Sequence, residues 1–305
     1  MYLKNSHHSR LPLVLSSIAL GLAAHPAMAQ VFSDNLTTDS SLGSEWFNMY
    51  NTSAASMVLN PTAGQGLALN VSSGTGKTDE AFAQFTQSPV TLGSVGDSIT
   101  LTVDFNSADL SGNTGGLLVG LFNTGGDPAT ANLSGTVAGG ATAAHQGYFG
   151  IMGFNTSAGT STKFYTRQGG ASDNNELGYY SAMTSGSYAQ LSSFLASANG
   201  TLANSTGYVL TYNITKGAGI DTITAVIDQG STVVDSWTTT DSSGTYNTFD
   251  ELDFGSYGKN ALVDLNVTDV QVTDSIAAAV PEPADFGLIG VGLMAVTFRR
   301  RFFNV

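Results

Sequence analysis

Glu251 and Asp253 stand two residues apart in the stretch Phe249-Asp-Glu-Leu-Asp-Phe-Gly255, which alternates apolar and acidic side chains. On a strand, that spacing puts both carboxylates on one face. Paired carboxylates can share the acid and nucleophile roles of glycoside hydrolysis. They can equally form the solvated outer face of a strand whose other side, Leu252 and Phe254, packs inward. Other chemistry is thinner. The chain has no cysteine, which excludes thiolate metal sites and cysteine nucleophiles. His145 is the only histidine after residue 29. One histidine does not make a typical zinc site, and no G-x-S-x-G elbow accompanies it, so His145 reads as a loop residue. Gly74-Thr-Gly-Lys-Thr78 lacks the glycine that a phosphate loop needs, with Val71 in its place. Asp173-Asn-Asn-Glu-Leu-Gly178 opens like a calcium loop, but Leu177 occupies its fifth position.

Sugar recognition needs rings for C–H faces beside side chains that hydrogen-bond hydroxyls. Tyr179 and Tyr180 lie in a polar stretch with Asn174 and Asn175, and with Arg167 close in sequence. Trp46 leads an early aromatic cluster with Phe47 and Tyr50. Tyr179, Tyr180, Arg167 and Trp46 are therefore the candidate glycan contacts. Core packing is the competing reading for each, least so for the tyrosine pair.

The elements that must carry these residues are strands. Charged residues make up only 11% of the 305-residue chain, with 36 glycines, a composition suited to sheets with many turns. Ser98–Phe105, Tyr208–Thr215 and Asp221–Asp228 alternate with period two. Gly116–Phe122 and Tyr148–Phe154 are apolar throughout, as inner strands are. Gly217–Gly219 and Gln229–Ser231 have hairpin length. Ser231–Thr240 continues the meander and Ala261–Thr273 forms the last strand. Residues 123–146 read as a long surface loop. Tyr188–Ala198 reads as either one short helix or a loop. Around ten strands with no evident repeat predict a single all-β domain, a two-sheet antiparallel β-sandwich.

Between Gln30 and Ala279 lie five basic and 21 acidic residues, and the whole chain carries a net charge of −13. Such a surface repels phosphate backbones, which argues against nucleic acid as a partner.

The two ends follow another logic. Lys4 and Arg10, the apolar run Leu11–Ala24 and the small-residue site Ala27-Met28-Ala29 form a secretory signal. Residues 1–29 are thus a signal peptide for signal peptidase, with the mature chain starting near Gln30. At the other end, residues 286–298 form a 13-residue apolar run, about 20 Å long as a helix against a bilayer core of about 30 Å. That marginal span would cross the inner membrane transiently, held by Arg299, Arg300 and Arg301 on the cytoplasmic side. Pro281 and Pro283 keep the preceding segment extended and open to a processing enzyme. The expected organisation is 1–29 signal peptide, 30–276 β-sandwich and 277–305 sorting tail with a short C-terminal apolar helix.

Val280, Pro281, Glu282 and Pro283, then the apolar run, then the three arginines, closely resemble the PEP-CTERM sorting tail of Gram-negative bacteria. The resemblance implies recognition by an exosortase, removal of the tail and delivery to the cell surface or extracellular matrix, typically in bacteria that make exopolysaccharide. The opening Val31-Phe-Ser-Asp-Asn-Leu36 and closing Val263–Thr273 resemble the end strands of concanavalin A-like lectin/glucanase sandwiches, laminin-G-like modules included. That implies a jelly-roll fold with paired first and last strands. It also implies one structural calcium on loop or terminal carboxylates, with Asp34 and Asp264 as candidates. Glu251-Leu-Asp253 resembles the start of the β-glucanase E-x-D-x-x-E motif, whose second glutamate should fall at 255 or 256. Gly255 and Ser256 stand there. The expectation is therefore a non-enzymatic module that binds polysaccharide. A hydrolase or lyase, or a purely structural coat protein, is the alternative.

Overall fold

The computed structural model describes residues 28–38, 42–51, 61–71, 77–109, 116–134, 142–153, 162–170, 188–192, 202–244, 246–258 and 263–276. The signal segment through Ala27, the loop carrying Tyr179 and Tyr180, and the tail from residue 277 lie outside them. Among the described residues there is no helix, and none is long and apolar enough to cross a membrane.

The strands are β1 Ala29–Asp34, β2 Trp46–Asn51, β3 Pro61–Thr62, β4 Gly66–Val71, β5 Lys77–Gln84 and β6 Val90–Thr91. They continue with β7 Ser98–Asp109, β8 Gly116–Asn123, β9 Leu133–Ser134, β10 Gln146–Gly153, β11 Lys163–Arg167 and β12 Tyr188–Gln190. The last are β13 Thr206–Thr215, β14 Asp221–Gln229, β15 Thr232–Asp241, β16 Thr248–Phe249, β17 Glu251–Gly258 and β18 Val263–Ser275. The first sheet runs β15-β14-β13-β7-β18-β4-β3, with β1 also on β18. The second runs β12-β11-β10-β8-β17-β5-β2-β9, and β16 pairs with β6 as a small ribbon. All pairings are antiparallel except β2 with β9.

Period-two alternation builds the first sheet as expected. Ile99, Leu101, Val103 and Phe105 of β7 are buried, as are Ile223, Ala225 and Ile227 of β14. Their partners across the core are Leu117, Val119 and Leu121 of β8 and Leu252 and Phe254 of β17. The first and last strands pair as the family resemblance implies. Phe32 stands opposite Val272 and Asp34 opposite Val270, after an irregularity between Gln30 and Phe32. β18 is long enough to hold β4 on the same edge nearer its start.

Two expectations change. The described residues form eighteen strands rather than about ten; five of them, β3, β6, β9, β12 and β16, are two or three residues long and have too few positions to show alternation. Tyr188–Gln190, read as the start of a helix or loop, is a strand paired to β11. Cross-strand pairing with Tyr165 and Thr166 overrides the local helical spacing.

Candidate functional site

The second sheet has two covered faces. Glu251 and Asp253 of β17 do point away from Leu252 and Phe254, but they are not a solvated face. Their exposures are 1% and 0%. Strand pairing shows what shares that outward face. Asp253 stands opposite Phe82 of β5 on one side and Gly120 of β8 on the other. Gly120 is opposite Phe149 of β10, and Phe149 opposite Tyr165 of β11. The Phe149 and Tyr165 rings stack at 5.1 Å, and Tyr188 meets Phe149 edge-on at 5.7 Å. Segment 124–134 supplies part of the cover. Ala129 packs on Met49 and Phe82, Leu133 joins them, and the Asn132 side chain accepts from the Asn48 backbone N–H. Sequence alternation cannot reveal such a cover, since it is built by a segment distant along the chain.

Glu80 is the residue that sequence reasoning missed. It lies on β5 directly opposite Gly255. A methyl group on Gly255 would sit 2.8 Å from Glu80 Cγ and 2.6 Å from the Asp79 carbonyl oxygen. The Glu80 side chain therefore folds across the notch that glycine leaves, on the face shared by Glu251 and Asp253. An acidic residue of the neighbouring strand thus stands beside Gly255, where β17 itself carries none. The signal was present, a glycine where an acid was expected, but the register that joins it to residue 80 was not.

His145 is a correction. It is a loop residue, yet fully buried. Its Nε2 lies 2.8 Å from the carbonyl oxygen of Asp127 and its Nδ1 2.9 Å from Glu251 Oε1. A carbonyl only accepts, so Nε2 carries hydrogen. Nδ1 and the Glu251 carboxylate then share one further proton. Beside them, Asp250 accepts from the Thr124 N–H and hydroxyl at 2.8 and 2.9 Å. Burial pushes the Asp250 carboxyl above its ordinary range, while the Thr124 bonds and His145 pull the other way.

The remaining candidates fall as follows. Arg167 is fully buried. Its Nη1 donates to the His145 carbonyl at 3.3 Å and its Nη2 to Thr142 Oγ1 at 3.2 Å, so it pins the 142–145 loop and positions His145 from behind. Trp46 is 5% exposed, packed edge-on against Phe32 and Phe254, with Nε1 donating to Asp34 Oδ2 at 2.6 Å. Asp34 and Asp264 do not meet. β1 register places Asp34 opposite Val270, six positions along β18, or about 20 Å, from Asp264. Asp264 stands opposite Asp109 instead. Among the described residues no group of three histidine or acidic side chains is arranged to hold a metal. Ala29 and Gln30 of the cleavage site open β1, while Ala27, Tyr179 and Tyr180 lie outside the described residues.

Comparison with known proteins bears on the tail and the fold. Residues 279–301 match the PEP-CTERM protein-sorting motif, which covers Val280 through Arg301 and lies outside the described residues. The motif marks a chain that is exported and anchored or processed at the cell envelope. No curated protein matches the sequence. Among solved structures, the chain is similar to the carbohydrate recognition domain of Emp47p, at 12% identity and TM-score 0.46, over 83% of this chain and 99% of that one. It is also similar to the exoplasmic/lumenal domain of VIP36 in a Ca2+/Man2-bound form, at 10% identity and TM-score 0.46, over 84% and 93%. Peanut lectin is similar at 11% identity and TM-score 0.41, over 81% and 97%.

Proposed function

We propose that this is an exported, non-enzymatic module that binds polysaccharide at the cell surface or in the matrix, processed by signal peptidase near Gln30 and by an exosortase at the tail. Residues 30–276 are its working domain. The observation that supports binding is the outward face of the second sheet, where Glu80, Glu251 and Asp253 share one surface with Phe82, Phe149 and Tyr165. Carboxylates accept paired bonds from sugar hydroxyls, and rings stack on sugar C–H faces. The cover of this face, to which segment 124–134 contributes over Met49 and Phe82, must yield for a glycan to reach them. Exopolysaccharide is the proposed ligand class, and the calcium that the family resemblance implies is tested with it, on carboxylates other than the Asp34–Asp264 pair.

One observation favours a second reading, a polysaccharide hydrolase. Glu80, opposite Gly255, lies on the same face as Glu251 four register positions along, and two-carboxylate hydrolysis requires a pair of acids on one face. Burial weighs on both readings alike, since glycan must reach these groups in either; what stands against hydrolysis is that Gly255 and Ser256 occupy the positions of the second glutamate. A single experiment separates the readings. The protein is incubated with a polysaccharide panel, with and without calcium, and bound protein and glycan chain length are recorded together. Saturable binding to intact glycan is expected. Glu80→Gln and Asp253→Asn, which keep shape and remove charge, should each weaken binding about tenfold, the scale of one lost charged hydrogen bond. Shortened glycan would establish the hydrolase, and no binding by folded protein would leave a structural coat role.

A further inference from the structure

The exposed large apolar side chains of the described residues are not scattered. They are Met28, Val95, Ile220, Val233 and Ile276, exposed by 65%, 65%, 48%, 52% and 37%. All but Val233 lie at one end of the first sheet. Ser98, at the start of β7, pairs with Thr215 at the end of β13 and with Ser275 at the end of β18. Those three positions lie within about 10 Å of one another, two strand spacings. Val95 sits in the turn entering β7, Ile220 in the turn leaving β13, and Ile276 just past β18. The two turns are tied together, because the Gly96 N–H donates to the Lys216 carbonyl and the Lys216 N–H to the Asp97 carbonyl, both at 2.9 Å. Met28 precedes Ala29, which stands opposite Asp274 beside Ile276. Val233 is at the far end of β15, opposite Asp228, and serves as an internal control.

Both ends of the chain leave from this same pole, and both lead to apolar segments. Nine residues, 277–285, separate Ile276 from the tail's apolar run, a reach of at most about 30–35 Å. The pole's charge is also withdrawn. Asp97, Asp221 and Asp241 are at most 4% exposed, leaving Asp274 and Lys216 half-buried around tips made of Gly, Ala, Ser and aliphatic residues. Elsewhere the domain is strongly acidic. A bilayer surface attracts uncharged apolar tips and repels the acidic remainder.

We propose that this pole is a membrane-contact face. While the sorting tail holds the chain at the bilayer, Val95, Ile220 and Ile276 enter the lipid headgroup region and fix the orientation of the sandwich. Met28 adds to them only until the signal segment is removed. The inference rests on the tail and on the pole, and is independent of the glycan reading.

The absence of cysteine makes the test clean. Val95→Cys, Ile220→Cys, Ile276→Cys and the control Val233→Cys are made singly in the full chain and labelled with a polarity-sensitive dye. Each is reconstituted through its own tail into phosphatidylethanolamine/phosphatidylglycerol vesicles. Blue-shifted emission that brominated acyl chains quench is expected at 95, 220 and 276, at least twofold above position 233. Water-like emission at all four positions overturns the proposal, as does equal quenching at all four. A shift that needs added exosortase also overturns it, because the partner would then be the enzyme. All four sites are on the surface, and matching unfolding midpoints confirm that each variant is folded.

Discussion

A methyl group at position 255 has nowhere to go. Its neighbours would be the Asp79 carbonyl oxygen at 2.6 Å and Glu80 Cγ at 2.8 Å, so Gly255→Ala should destabilise the protein by about 2–3 kcal/mol. Because backbone is one of the two obstacles, shortening Glu80 in the same protein should not restore stability. Urea midpoints of the single and double variants check this, and full rescue would mean that Glu80 alone fills the notch. The His145–Glu251 pair makes an asymmetric prediction. His145→Phe leaves the Glu251 carboxylate buried without its proton-sharing partner and should cost about 3–5 kcal/mol. Glu251→Gln keeps a donor facing Nδ1 and should cost about 1 kcal/mol. Equal losses in urea unfolding would show that the shared proton does not matter. Neither Glu80 nor the buried role of His145 was legible in the sequence, since each depends on which strands become neighbours. The alternation that placed Glu251 and Asp253 on one face was legible, because it needs only the geometry of a single strand.

At the scale of elements, long alternating strands read correctly and short edges did not. β7 and β13 each offer four repeats of an inward apolar residue and β14 three, enough to fix which face is buried. β8 and β10 read as inner strands because both of their faces are covered, one by the first sheet and one by aromatic neighbours. One pairing is unfavourable by design of its charges. Asp104 of β7 stands opposite Asp269 of β18. Burial first, and Asp269 second, push the Asp104 carboxyl above its ordinary range. The folded state therefore favours the protonated acid. That contribution to stability is present in full below the ordinary carboxylate range and is lost as pH rises through the raised value. Asp269→Asn should raise stability near neutral pH by about 0.5 kcal/mol, the scale of an opposed, partly screened like-charge pair. The gain should shrink toward zero near pH 3, where Asp104 is neutral in both proteins. Urea midpoints at the two pH values read this, and a gain that is the same at both would place the effect elsewhere than in repulsion.

At the scale of the whole molecule, the sorting tail was the most legible part because it is read as a linear string by an enzyme and needs no fold to define it. The sandwich was legible as a class, because turn-rich composition and period-two strands leave few other architectures. Its continuity is a separate matter. β1 and β18 pair with each other and every described strand lies between them, so no described strand draws on residues beyond Ser275. Residues 30–276 should then fold alone as one cooperative unit. The two tryptophans report the sheets separately, Trp46 from β2 in the second and Trp237 from β15 in the first, and both are buried. Single-tryptophan versions of the fragment, Trp46→Phe and Trp237→Phe, should give coincident fluorescence transitions in urea. Their two rings are edge-on or buried in one shared core, so loss of either sheet strips the partner of its packing. Transitions separated by more than about 0.5 M, beyond the usual error of such midpoints, would mean that the sheets unfold independently and that the core between them is weaker than its complete burial indicates.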